Sequence, residues 1–295
     1  MNCPNCGTSN PDNAAYCGRC GLALPAGQPA PSATSAQPSP ADAIPPSTLG
    51  QLVNHTFGVY QRMGGTLLRI VLPSQLPLLA ASVISSETLV LLLTLVGLFT
   101  SLLASAAVAH AVAQFYVGQR VTVAGSYVGA LNNGVSLLLN ALAFFAAVFG
   151  ALLLSLMIVG IPVLVFIVVA WFFYVQAVVI EGKGPLEAIV QSWRLVRGMW
   201  WRTFGVGLAF LLLVIALGFL CSLPGLAMYS LADKTAGNFI MTLGSVLAVP
   251  VAYVSATLVY FDLRARKEGL TLSRLAVELG VAPSGQPSEG PGRPL

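Results

Sequence analysis

The sequence predicts an all-α integral membrane protein. Six helices cross the bilayer, three interfacial amphipathic helices precede them in a possible threefold repeat, and a small cysteine-built knuckle stands at the N-terminus. Three observations carry this reading. Of the 295 residues, 56% are hydrophobic and only 8% charged, against roughly a quarter charged in soluble domains. Apolar runs long enough to cross about 30 Å of hydrocarbon recur along the chain. Four of the five cysteines fall in two C-x2-C pairs within the first twenty residues.

The apolar runs give six spans. The first is Leu67 to Ser85, interrupted by Pro73 and Pro77, and the second is Thr88 to Val117. Residues Val135 to Ile180 carry no charge and are too long for one helix, so the "VGIP" stretch at 159–162 is expected to turn a hairpin of two spans. The fifth runs from Thr203 to about Tyr229 and the sixth from about Phe239 to Phe261.

Charge placement orients the spans. With six crossings both termini share one side, and of the 14 Lys and Arg residues that side holds all but Lys234. An excess of this size marks the cytoplasmic face. The chain is therefore expected in a bacterial cytoplasmic (inner) membrane with both ends inside. Met1 is followed by the cysteine knuckle rather than a basic and apolar stretch, so no cleavable signal peptide is expected.

A cytoplasmic N-terminus keeps thiols reduced and disfavours disulfides. Cys3 and Cys6 form one pair, Cys17 and Cys20 the other, and a glycine (Gly7, Gly21) follows each. Glycine lets the turn curl so that backbone N–H groups face the sulfurs. Four thiolates make a closed tetrahedral site, which suits one structural Zn2+ per chain and leaves no open position for catalysis. Residues 1–23 form this unit. A ribbon so small holds no core, so metal binding supplies most of its folding energy. The fifth cysteine, Cys221, lies in an apolar run and is read as a small buried hydrophobe.

Residues 24–46 are rich in Pro, Ala and Ser and are expected to be a flexible linker, reaching about 25–30 Å on average. The tail 281–295 has the same composition. Between them, 47–280 form the membrane domain. Each pair of spans in it follows a short amphipathic stretch, at 47–65, 121–134 and 184–201. In the third, Ile189, Trp193, Val196 and Trp200 share one stripe, with Arg194, Arg197 and Arg202 alongside and Trp201 adjoining. Such a helix can lie in the headgroup layer with its arginines on anionic lipid. Ordinary positive flanks with an aromatic belt account for the same residues.

Polar groups inside spans are costly, so they are the place to look for chemistry. His110 and Gln114 lie one turn apart on the second span, and Gln176 lies near the end of the fourth; together they are a candidate intramembrane polar site. Small-residue ladders at Gly97, Ser101, Ser105, Ala109 and Ala113, and at Gly244, Ala248, Ala252 and Ala256, permit close helix packing. Glu181 and Asp262, near Lys183 and Arg264, are expected to form local salt bridges. The chain has two histidines and no metalloprotease, nucleophile-elbow or phosphate-loop motif, so no catalytic residue is assigned and no enzyme is expected. No feature indicates a nucleic-acid partner.

Residues 3–21, with Tyr16 before the third cysteine, resemble the short bacterial zinc-ribbon module found at the N-termini of membrane and regulatory proteins. The stretches 177–205 and 258–272 resemble signature segments of a multi-helix bacterial membrane domain named for its fusion to glycerophosphodiester phosphodiesterases. Glu181, Gly182, Ser192, Arg194 and Gly198 match the first segment with slightly different spacing. Tyr260, Asp262, Arg264, Arg266, Lys267, Glu268 and Gly269 match the second. The phosphodiesterase is an α/β barrel of about 250 residues for which this chain has no room, so its activity does not carry over. The expected role is a membrane scaffold or assembly factor that touches membrane lipids and docks a protein partner through the ribbon. The alternative is a transporter or lipid-handling protein with a cavity near His110, Gln114 and Gln176.

Overall fold

The structure is a computed structural model that describes residues 6–9, 19–20, 42–155, 160–231 and 233–281. It divides into two compact units, Met1–Ala41 and Asp42–Leu295. In the first, the described residues are the turn at 6–9 and the pair 19–20; Cys3, Cys17 and most of the expected linker lie outside them. The second unit is helical, and its described residues hold one isolated bridge, between Ala43 and Thr271, and no strand.

Among the described residues, six helices are long and apolar enough to cross a membrane. The first, α1 (Leu49–Ala81), begins at a capping box in which the Thr48 side chain accepts from the Gln51 N–H and the Gln51 side chain reaches back to the Thr48 N–H. Two orphan donors are satisfied at once, which fixes the start. The helix breaks at Met63, whose φ of −130° and ψ of 17° are not helical. Before the break, Leu52, Thr56, Val59 and Met63 are buried at the spacing of one helical stripe. That segment is the first of the expected amphipathic helices; the span follows it.

The second span, α2 (Glu87–Tyr116), is buried in its C-terminal half, while Leu91, Leu95 and Phe99 nearer its start are exposed. Ala106, Ala107, Ala109, Ala111 and Ala113 are all fully buried around its circumference. Alanine lets neighbours approach from several sides, and α2 packs against α1, the short helix α3 (Val123–Leu131) and later spans. Its ladder meets α1 directly: Gln75 Nε2 donates to Ser101 Oγ at 3.3 Å, and Thr100 Oγ1 to the Ser74 carbonyl at 3.0 Å.

The uncharged run between 135 and 180 is a pair of spans. The helix α4 (Gly134–Ser155) is the third, and α5 (Gly160–Trp171) with α6 (Tyr174–Glu181) make the fourth. Of the turn expected at 159–162, residues 160–162 are already helical; residues 156–159 lie outside those described. The fourth span is itself interrupted at Phe172 and Phe173. There the Phe173 N–H donates to Ser192 Oγ at 3.1 Å, and Ser192 Oγ donates to the Ala170 carbonyl at 2.8 Å. Broken backbone within a span is tolerated where protein satisfies it.

The third amphipathic helix, α7 (Glu187–Val196), is shorter than the expected 184–201. Gly198, at φ +84°, turns the chain in the left-handed region that favours glycine. Trp200 therefore opens the next helix, α8 (Trp200–Leu231), and does not continue the stripe of Ile189, Trp193 and Val196. The sixth span is α9 (Lys234–Val246) followed by α10 (Val249–Glu268), and the short α11 (Leu272–Glu278) closes the unit. Packing between α8 and α9 is close enough that a Cβ at Gly237 would collide with the backbone of Tyr229.

Candidate functional site

Charged residues of α6, α8, α10 and α11 meet at one end of the bundle, where the described part of the second unit also begins and ends. Asp42 and Ile44 belong to the expected linker, but here they are bonded. The Leu272 N–H donates to the Asp42 carbonyl at 2.9 Å, and the Ile44 N–H to the Leu270 carbonyl at 3.1 Å. Asp42 also takes the Ser273 N–H at 3.1 Å through Oδ1 and the Ser273 hydroxyl through Oδ2. These bonds join Asp42 and Ile44 to the second compact unit, which begins at Asp42.

Behind this strap stand two ion clusters on opposite sides of α10. Residues 262 and 264 are two apart, so the helix points them different ways. Asp262, 2% exposed, receives Arg202 Nη1 at 2.7 Å and Arg266 Nε at 3.1 Å. It also accepts the Ser47 N–H at 2.7 Å, while Arg202 and Arg266 each donate to the Ser47 carbonyl at 2.8 Å. Ser47 is held by both its backbone groups just before the cap of α1. The expected salt bridge of Asp262 exists, but its partners are not Arg264.

On the other side, Arg264 has no exposed side-chain surface. Its guanidinium makes two parallel bonds of 2.7 Å to Glu278 on α11, one of 3.0 Å to Glu268, and lies 3.3 Å from Glu181 at the end of the fourth span. Arg274 joins Glu268 and Glu278, and Lys183 lies 3.9 Å from Glu181. Three carboxylates therefore face three cations. Gln191 adds an amide donor to Glu268 at 2.7 Å, and the Tyr260 hydroxyl donates to Glu181. A buried pair survives desolvation only with such extra hydrogen bonds.

The arginines expected on lipid headgroups divide accordingly. Arg202 is used inside the cluster. Arg194 is exposed and donates to Gln191 Oε1 at 3.2 Å. Arg197 is exposed and, among the described residues, pairs with no carboxylate. Trp201 is 78% exposed, whereas Trp193 packs on Phe166 at 5.2 Å and Trp200 stacks on Phe204 at 5.4 Å.

Of the intramembrane polar group, Gln176 is 95% buried by its 5% exposure, and His110 and Gln114 are half-buried. His110 Nδ1, Gln114 Oε1 and Gln176 Oε1 are buried without a hydrogen-bond partner among the described residues. The imidazole of His110 lies against Gly129 of α3, where a Cβ would collide with it. A cavity of about 520 Å³ walled by apolar side chains lies elsewhere, between α5, α8 and α10.

Sequence reasoning gave no structural role to two positioning residues. Ser192 satisfies the broken fourth span, as above. Asn140, fully buried on α4, accepts the Leu186 N–H at 3.1 Å and donates to the Ser136 carbonyl at 2.7 Å. It steadies Leu186, which carries an unusual φ of +66° for a residue with a Cβ. Asn140 is the only amide within an otherwise apolar span, and that was its available signal. Nearby, burial pushes the Tyr127 phenol above its ordinary range, and its O–H donates to the Ile70 carbonyl at 2.6 Å.

Cys6 and Cys20 are the two described cysteines of the knuckle. Gly7, next to Cys6, has φ +70°, the left-handed turn that a C-x2-C-G knuckle requires, and Cys6 Sγ lies 3.3 Å from Thr8 Oγ1. The donor set and this turn fit a zinc ion.

Fold and site together define a six-helix bundle, apolar enough for a membrane, with buried ion clusters at its strapped end; in sequence a cysteine knuckle precedes it. The chain belongs to the DUF7847 family, a domain of unknown function, which matches residues 32–263; a zinc-ribbon domain matches residues 2–24. These matches show no link to glycerophosphodiester phosphodiesterase fusions. Comparison with curated proteins and with solved structures found no match.

Proposed function

We propose that this protein is a non-catalytic scaffold of the bacterial inner membrane, with both termini cytoplasmic, that presents a zinc ribbon for docking. Cys3, Cys6, Cys17 and Cys20 would hold one Zn2+, which supplies folding energy rather than chemistry. The observation that carries the reading is the strap: Asp42, Ile44 and Ser47 are bonded to the end of the bundle through Leu272, Leu270 and Asp262. The ribbon's tether is thereby given a fixed origin on the membrane unit. Three units of one amphipathic helix and two spans, beginning with α1, α3 and α7, fit this role as a rigid base. Supporting it, the C-terminal half of α2 carries fully buried alanines against which its neighbours pack.

The test compares, in mild detergent, proteins co-purifying with the intact chain, with a chain lacking residues 1–24, and with Cys17→Ser. A partner held by the intact chain and lost from both variants supports docking through the ribbon. An identical set from all three overturns it.

A second reading, transport, is favoured by one observation: the unpartnered polar atoms of His110, Gln114 and Gln176. A water-filled passage there would let Gln176→Cys react with a small water-soluble thiol reagent. Failure to react, with the protein folded, favours the packed scaffold.

A further inference from the structure

We infer that the groove between α5, α8 and α10 is a binding site for one anionic glycerophospholipid, its acyl chain in the groove and its headgroup at Arg197 and Lys267. The inference rests on reading the six helices as spans and not on the docking role of the ribbon.

The groove's volume of about 520 Å³ falls within the roughly 300–1,000 Å³ of small-molecule sites. Val168, Phe173, Gly207, Phe210 and Ala256 are among its walls. Thr203 and Ser255 are the hydroxyls that line it, and both are already spent: Thr203 Oγ1 donates to the Met199 carbonyl at 3.0 Å and Ser255 Oγ to the Ala252 carbonyl at 2.9 Å. The interior therefore asks for hydrocarbon and offers nothing to a polar solute. Exposed Phe172, Leu208 and Leu211 along its walls open it sideways, where a span meets lipid.

The polar end decides which lipid. Arg202, Arg264, Arg266 and Arg274 are all paired with carboxylates. Arg197 and Lys267 are exposed and have no carboxylate among the described residues. They meet at the α7–α8 turn, where Lys267 Nζ donates to the Arg197 carbonyl at 2.7 Å. Thr203 follows this turn on α8, and Lys267 stands two turns beyond the groove residue Val259, about 12 Å along α10. The N-terminus of α8 points its dipole at the same place, which favours an anion there. At this rim Trp200 stacks on Phe204, and its buried indole N–H finds no acceptor among the described residues. Two unpaired cations, a helix N-terminus and an indole donor above an apolar slot match a phosphate ester on an acyl tail.

The experiment is native mass spectrometry of the full chain in mild detergent, supplied with phosphatidylglycerol or phosphatidylcholine. One phosphatidylglycerol per chain should be retained in preference to phosphatidylcholine. The exposed double variant Arg197→Gln, Lys267→Gln should lose roughly thirty-fold of that preference, the equivalent of two charges near an anionic leaflet at about 1 kcal/mol each. Ala256→Phe, which fills the slot, should shed lipid of either headgroup. Equal retention of the two lipids by the unmodified chain overturns the site, as does undiminished retention by both variants. If Ala256→Phe turns a dimer into a monomer and leaves lipid retention alone, the groove is a contact between copies and the lipid assignment fails.

Discussion

Arg264 and Glu278 face each other as a two-bond fork, Nη1 to Oε2 and Nη2 to Oε1, both at 2.7 Å. The arginine belongs to the last span and the glutamate to α11, so the pair fastens the C-terminal helix to the membrane unit. Glu278→Ala leaves a buried guanidinium with part of its acceptors removed, and breaking such a pair costs about 3–5 kcal/mol. We expect thermal unfolding in detergent to fall accordingly and amide exchange across 272–278 to rise first. Arg264→Lys should also destabilise, because an ammonium cannot form the planar fork. Unchanged exchange at α11 in both variants would show that the fork does not fasten it.

Asp262 plays the corresponding part for the incoming chain. Its bonds to the Ser47 N–H and to Arg202 and Arg266 hold the segment before α1. Asp262→Ala should leave two arginines without their shared carboxylate and release residues 42–48. Limited proteolysis within that segment is expected to speed up at least tenfold while the spans stay intact. Cleavage at the original rate would mean that the backbone bonds to Leu270 and Leu272 suffice alone.

What could be read from sequence follows the strength of each physical signal. Spans two to five were legible because long uncharged runs have few alternatives, and their ends fall within a few residues of the observed helices. The first observed helix starts at Leu49, well before Leu67, and the sixth runs Lys234–Glu268 rather than from about Phe239 to Phe261. The salt bridges of Glu181 and Asp262 were legible as pairs, since an acid at a span's end needs a cation. Lys183 and Arg264 do pair with Glu181, but the partners of Asp262 were not legible. Arg202 looked like a headgroup ligand from its place among tryptophans, and only the tertiary approach of α8 to α10 turns it to Asp262. The strap at Asp42 was hidden for a similar reason: its Pro/Ala/Ser-rich composition carries no apolar stripe, and its bonds go to residues more than 200 positions away. The break at Gly198 shortened the third amphipathic helix because a single left-handed residue outweighs a continuing hydrophobic stripe.

Zinc content tests the N-terminal unit independently. Elemental analysis of the purified chain should give close to one zinc per molecule. Cys17→Ser should abolish it, since a structural site needs all four ligands, and membrane insertion should be unaffected. Iron in place of zinc, or disulfide-linked knuckle cysteines in cells, would overturn the assignment.

Orientation can be read by labelling single cysteines with an impermeant reagent on intact cells. Thr235, exposed at the start of α9, and Gln119, exposed between α2 and α3, are suitable sites. Ser126 is fully buried and would report nothing from either side. Thr235→Cys should react from outside, and Gln119→Cys only after the membrane is opened, because 13 of the 14 basic residues accompany Gln119's side. The reverse pattern would invert the protein.

The sign of a glycine-to-alanine change separates helix propensity from packing in α8 and α9. Gly205 of α8 has open space where a Cβ would go, so Gly205→Ala meets no neighbour. Alanine favours a helix interior over glycine by roughly 0.5–1 kcal/mol, and this variant should melt at the same temperature or higher. Gly237 of α9 has the same chemistry and the opposite surroundings, since the added Cβ would strike the backbone of Tyr229 in α8. Backbone cannot swing aside as a side chain can, and overpacking of this kind costs about 1–3 kcal/mol. Gly237→Ala should therefore lower the melting temperature despite its better propensity, and raise exchange in the hairpin of spans five and six. If both variants shift melting in the same direction, the close approach of α8 and α9 at Gly237 is not what holds that hairpin together.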